Sequence, residues 1–150
     1  MTTLTAAEVR TIREGLGVTA EWFAAQIGVT PRTVQRWESG ESEIKPSAAE
    51  AILTLEADAA EQVAVHLAAF TSSRSMPPVL VVEDMGRVDD WPPGWLRMVA
   101  FRVRQRLPGL RIVDAAGVRS VETGPVDLWI GGGQPVSRPG LAKPAGVSAR

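Results

Sequence analysis

The chain of 150 residues contains no cysteine and a single histidine. Without cysteine there are no disulfides, no thiolate-ligated zinc and no thiol nucleophile, and nothing points to an oxidising compartment. One histidine and no cysteine leave little to build a metal site from, so His66 reads as a helix-face or interface residue. A Ser-His-Asp arrangement has no credible geometry for the same reason. No apolar run approaches the length needed to span a membrane. Residues 1–14, MTTLTAAEVRTIRE, lack the basic and apolar regions of a signal peptide. A cytoplasmic protein with no membrane contact and no cofactor is expected. A large net charge is also missing, because 16 basic residues face 17 acidic ones. Bulk charge therefore gives no support for nucleic-acid binding.

The distribution of charge is uneven. Residues 1–70 hold five basic and ten acidic side chains, a balance of −5, and residues 71–150 hold eleven and seven, a balance of +4. If the first half meets a polyanion, a few placed arginines must do it.

Capping residues divide the first seventy positions into short helices. Thr5 precedes AAEVRTIREG with Glu8 three residues on, a capping-box spacing, and Gly15 ends the run. Thr19 caps AEWFAAQI, which Gly28 ends. Thr30 caps the next helix, with Pro31 at its first position, where the missing N–H costs nothing, and Gly40 ends it. A loop, ESEIKP, leads to Ser47, read as the cap of a long helix to about Phe70. In that helix Ile52, Leu55, Ala59, Val63, His66 and Phe70 recur by threes and fours and share one face.

In TAEWFAAQIGVTPRTVQRWESG (19–40), Phe23 and Ile27 face inward from one helix and Val34 and Trp37 from the next. Ala24 is small where the helices cross, and Gly28 supplies the positive φ of a tight helix-to-helix turn. These features agree with one another, which favours a single geometry. The stretch resembles the helix-turn-helix of the XRE, or lambda-repressor-like, family. The matching residues are Thr19, Phe23, Ala24, Ile27, Gly28, Val29, Thr30, Val34, Trp37, Glu38 and Gly40, and the likeness covers about residues 4–70. It implies that helix 31–38 enters the major groove of double-stranded DNA, with Thr19, Thr30, Pro31, Arg32, Thr33, Gln35 and Arg36 as the DNA-binding set. Arg32 and Arg36 stand one turn apart, and an arginine can donate twice to guanine O6 and N7. Two positions depart from the family pattern. Ala20 stands where a polar residue commonly meets DNA, and Trp22 where an exposed polar residue is usual. Partial burial of Trp22 is expected.

Past TSSRSMPP (71–78), a linker by composition, the pattern changes. VLVVE (79–83) and LRIVDA (110–115) are strand candidates around the helical stretch 94–107, and VDLWI (126–130) is a candidate edge strand. The helix puts Trp95, Leu96, Val99, Val103 and Leu107 on one side, and Met98 and Phe101, beside Gln105, on another. Met98, Phe101 and Gln105 are read as a self-complementary dimerisation patch. The tail 131–150 is rich in glycine and proline, without an acidic residue, and is expected to be disordered. The order of elements, with WPPGWLRMVAFRVRQRL (91–107), resembles the regulators that repress anti-CRISPR operons and a related bacterial family. That likeness implies a C-terminal dimerisation domain, an inverted-repeat operator, autorepression and, for some members, binding of RNA.

Plainer readings stand beside these. Arg32 and Arg36 suit a solvated helix face, and Trp37 suits a core. RVRQR (102–106) suits an ordinary surface helix, and Glu83, Asp84, Asp89 and Asp90 suit compensation of a helix dipole rather than catalysis. WIGGGQP (129–135) lacks the lysine and Ser/Thr of a phosphate loop. The fold class expected is α+β. An all-α helix-turn-helix domain (1–70) and a linker (71–78) precede a small βαβ-type dimerisation domain (79–130) and a tail (131–150). The function expected is that of a DNA-binding transcriptional regulator, a dimeric repressor and not an enzyme. Two alternatives stay open. One is an antitoxin that masks a toxin protein, and the other is a protein-interaction module that keeps the fold without binding DNA.

Overall fold

The computed structural model describes residues 3–72, 79–82, 91–114 and 128–130. Helices dominate them. The contacts divide the chain into two compact units, the break falling between Ala59 and Ala60.

In the first unit, α1 spans Ala6–Gly15. Its capping box is complete. The Thr5 N–H donates to Glu8 Oε2 at 2.7 Å, and the Glu8 N–H donates to Thr5 Oγ1 at 3.2 Å. The Thr5 N–H, and then its hydroxyl, hold the Glu8 carboxyl below its ordinary pKa. Gly15 is the last helical residue, and the left-handed residue of the following turn is Gly17, with φ 71°. Helix α2 spans Ala20–Ile27 and α3 spans Pro31–Glu38. Between them Gly28 takes φ 77°, a conformation a Cβ would strain, which lets the N–H groups of Gly28 and Val29 both reach the Ala24 carbonyl.

The core of this unit joins all its helices. Val9, Phe23, Ala24, Val34 and Ile52 are completely buried, and Leu16 and Trp37 nearly so. Trp22 is also buried, at 8% exposure. Trp22 is thus a packing residue of this core.

Helix α4 spans Pro46–Ser72. It begins one residue before the expected Ser47 cap, and Ser47 is an exposed residue of the first turn. Pro46 sets the helical φ without offering an N–H, and the Ala48 and Ala49 N–H groups take the Lys45 carbonyl at 3.0 Å each. The expected face is present: Ile52, Leu55, Ala59, Val63 and Phe70 are buried, and His66 is half-buried.

In the second unit, β1 (Val79–Val82) precedes α5 (Pro93–Arg106), β2 (Arg111–Asp114) and β3 (Leu128–Ile130). The strands form a parallel sheet in the order β2-β1-β3. Val79 pairs with Arg111, and Leu80 with both Ile112 and Leu128. Helix α5 packs against β1 and β2. It starts with Pro93 at its first position and closes at Leu107, one residue earlier than its apolar spacing implied. Trp95 is completely buried, stacked on Trp91 with ring centroids 4.3 Å apart. Its indole N–H donates to Gln62 Oε1 at 2.9 Å, so the later half of α4 packs with this unit. The strands lie inside the stretches read as candidates. Of the expected linker 71–78, residues 71 and 72 belong to the last turn of α4; residues 73–78, the acidic group Glu83, Asp84, Asp89 and Asp90, and the tail 131–150 lie outside the described residues.

Candidate nucleic-acid interface

Helix α3 is two-faced. Val34 and Trp37 turn into the core. Arg32, Gln35 and Arg36 are exposed, and Pro31 and Thr33 are half-buried. The exposed set therefore covers the face that the sequence assigned to the groove.

The two threonines at the helix starts are exposed, and each already holds a cap. Thr19 Oγ1 accepts the Trp22 N–H at 3.2 Å. Thr30 Oγ1 accepts the Thr33 N–H at 3.2 Å and lies 2.9 Å from Thr33 Oγ1. A capping hydroxyl accepts with a lone pair and keeps its proton. Thr19 can still donate to a phosphate oxygen, as can whichever of Thr30 and Thr33 does not donate to the other.

The two exposed arginines of α3 differ. Arg36 Nε lies 4.0 Å from Glu41 Oε2, with both side chains well exposed (54% and 67%). Such a pair is screened by water and is worth little. Arg32 has no carboxylate partner among the described residues, and both guanidiniums are open to solvent.

Arg13 and Glu38 tie the end of α1 to the end of α3, a contact that no local pattern in the sequence announced. Arg13 Nε donates to Glu38 Oε1 at 2.6 Å and Nη2 to Oε2 at 3.1 Å, while Nη1 donates to the Val18 carbonyl at 3.1 Å. The side chains are 16% and 9% exposed. The Glu38 carboxylate holds the Arg13 pKa above its ordinary value. Glu38 stood in the family pattern, but no short-range signal joins it to a residue 25 positions away.

On α5 the expected patch is not intact. Met98 is buried, at 8% exposure, while Phe101 is 58% exposed and Gln105 is exposed. Met98 follows Trp95 by three residues and shares its edge of the helix, so the buried arc is wider than the stripe Trp95, Leu96, Val99 and Val103. Met98 is accordingly removed from the surface set. His66 Nδ1 lies 2.6 Å from the Gln62 carbonyl, to which its N–H donates, and burial pushes its pKa below 6.5. No group of side chains suited to a metal ion occurs among the described residues. No helix there is long and apolar enough to cross a membrane.

Residues 9–55 match the helix-turn-helix family. The match runs from α1 into the first half of α4 and spans less than half of the chain. No curated protein matches the chain. The first unit thus carries a helix-turn-helix segment.

Proposed function

We propose that the protein is a sequence-specific, DNA-binding transcriptional regulator, acting in the cytoplasm as a repressor. Helix α3 reads the major groove through Arg32, Gln35 and Arg36, with Thr19, Thr30, Pro31 and Thr33 at the phosphates or the groove edge. The observation that carries this reading is the two-faced α3: its inner side is buried at Val34 and Trp37, and its outer side presents two solvent-open arginines one turn apart. Arg13 and Glu38 hold that helix in orientation, so the arginines are displayed on a fixed element.

A single helix-turn-helix touches one half-site, and dimers bind half-sites about 34–36 Å apart. The proposal therefore includes a homodimer on an inverted repeat. Phe101 and Gln105 are the exposed residues of α5 offered for that contact. Fluorescence anisotropy with duplex DNA from directly upstream of the protein's own gene tests the reading. Tight binding there and weak binding to a scrambled duplex, at physiological salt, is expected. Equal weak binding to both removes autoregulation.

A second reading, a protein-interaction module that keeps this fold, draws on the acidic balance of residues 1–70 and on Glu41 beside Arg36. It predicts no preference for any duplex.

A further inference from the structure

The cations of the first unit are few and mostly answered. Arg10 lies 3.6 Å from Glu14, Arg13 is bound to Glu38, and Arg36 lies 4.0 Å from Glu41. Only Arg32 and Lys45 have no carboxylate partner among the described residues, in a segment, residues 1–59, that sets five basic side chains against nine acidic ones. Duplex DNA is held chiefly by phosphate neutralisation. A segment of this charge is poorly supplied for that task.

The second unit differs. Between Phe101 and Ile112 the chain carries Arg102, Arg104, Arg106 and Arg111 and no acidic residue. Arg104, Arg106 and Arg111 are exposed, and none has a carboxylate partner among the described residues. Arg104 Nη1 donates to the Leu110 carbonyl at 2.7 Å. That bond ties its guanidinium to the backbone next to Arg111, the first residue of β2.

Two structural explanations reach part of this cluster. Arginines in a last helical turn offset the helix dipole, which suits Arg104 and Arg106 but not Arg111 on a strand. A cation on an edge strand discourages edge pairing, which suits Arg111 alone. The Arg104 bond itself satisfies the carbonyl of Leu110, and no single one of these explanations covers all three arginines.

We infer that Arg104, Arg106 and Arg111 form a phosphate-contacting surface for duplex DNA, supplying the sequence-independent attraction that the helix-turn-helix lacks. The inference rests on the DNA-binding reading above. It divides the work: α3 reads bases, and the junction of α5 and β2 neutralises backbone.

The test is the salt dependence of binding to a scrambled 30-base-pair duplex, measured on the full chain and on the triple variant R104Q/R106Q/R111Q. Each neutralised phosphate contributes about 0.9 to the slope of log K against log salt. The variant is expected to lose about 2 to 3 from that slope, and to bind at least tenfold more weakly at low salt. The variant R104K/R106K/R111K keeps the charges and is expected to keep most of the slope, which separates lost charge from misfolding. An unchanged slope in the glutamine variant overturns the inference and leaves base reading by α3 intact. A slope that falls as expected, with no preference for any sequence, supports this surface and overturns specific recognition. No binding to any duplex at low salt overturns both.

Discussion

The Arg13 guanidinium donates to both carboxylate oxygens of Glu38, at 2.6 and 3.1 Å, and so ties the last turn of α1 to the last turn of α3. Val9 and Trp37, buried in the same unit, fill its core, while the pair sets direction. Removing Glu38 takes both charge-paired hydrogen bonds from a largely buried guanidinium and leaves it only the exposed Glu14 at 3.6 Å, at a cost of about 3 kcal/mol. Glu38→Ala is expected to lower unfolding stability by about that amount in a urea titration. The double variant R13M/E38L is expected to recover much of it, because no charge is stranded. A Glu38→Ala protein as stable as the parent makes the pair incidental.

Arg36→Ala is expected to weaken binding to the specific duplex by about 1–3 kcal/mol and relax the preference at one base position. Titrations against duplexes changed singly at each position measure both. Unchanged affinity and preference remove Arg36 from the groove.

Glu41 draws Arg36 toward itself across 4.0 Å of solvent-exposed space. The pair competes with DNA, but weakly, since exposed pairs are worth about 0.2–1 kcal/mol. Glu41→Gln is expected to tighten DNA binding by up to about fivefold, and in an Arg36→Ala background to do much less. Equal gains in both backgrounds mean that Glu41 acts on the phosphates and not on Arg36.

His66 is held neutral by burial, with its pKa below the ordinary 6.5. The unfolded chain then takes up the proton more readily than the folded one. The stabilising contribution is complete above the unfolded value and is lost as the pH falls from about 6.5 toward the lower folded pKa. Urea midpoints are expected to drop between pH 7.5 and 5.5, and to drop less in His66→Gln. A variant with the same pH dependence as the parent assigns the effect elsewhere.

Phe101 is 58% exposed on α5, so Phe101→Arg leaves the fold intact. In sedimentation the parent is expected to be a dimer and the variant a monomer. A dimeric variant moves the interface off this side of α5.

Much of the first unit was legible because its signals are local. Thr5, Thr19 and Thr30 cap their helices and Gly28 makes the turn, each within a few residues of what it satisfies. Ser47 misled because a serine before an apolar stripe looks like a cap, although Pro46 can open a helix and does. Met98 misled because the stripe from Trp95 to Leu107 understates how much of α5 the second unit covers. The Arg13–Glu38 and Gln62–Trp95 contacts join residues 25 and 33 positions apart, and no periodicity reports that. The apolar stripe of α4 also continues unbroken from Ile52 to Phe70 while the chain passes from one unit to the other, so the break after Ala59 left no mark in the pattern. Arg32 and Arg36 were legible as exposed residues of α3, and the weak pairing of Arg36 was not, because Glu41 lies beyond the helix end.

Specific reading of duplex DNA by α3 is tested most directly by selecting bound duplexes from a random pool, with the parent protein and with Arg36→Ala in parallel. The expected result is an enriched inverted repeat in the parent pool, with one guanine per half-site that the variant no longer selects. A parent pool with no enriched motif, or the same motif from both proteins, contradicts the assignment of α3 to the groove.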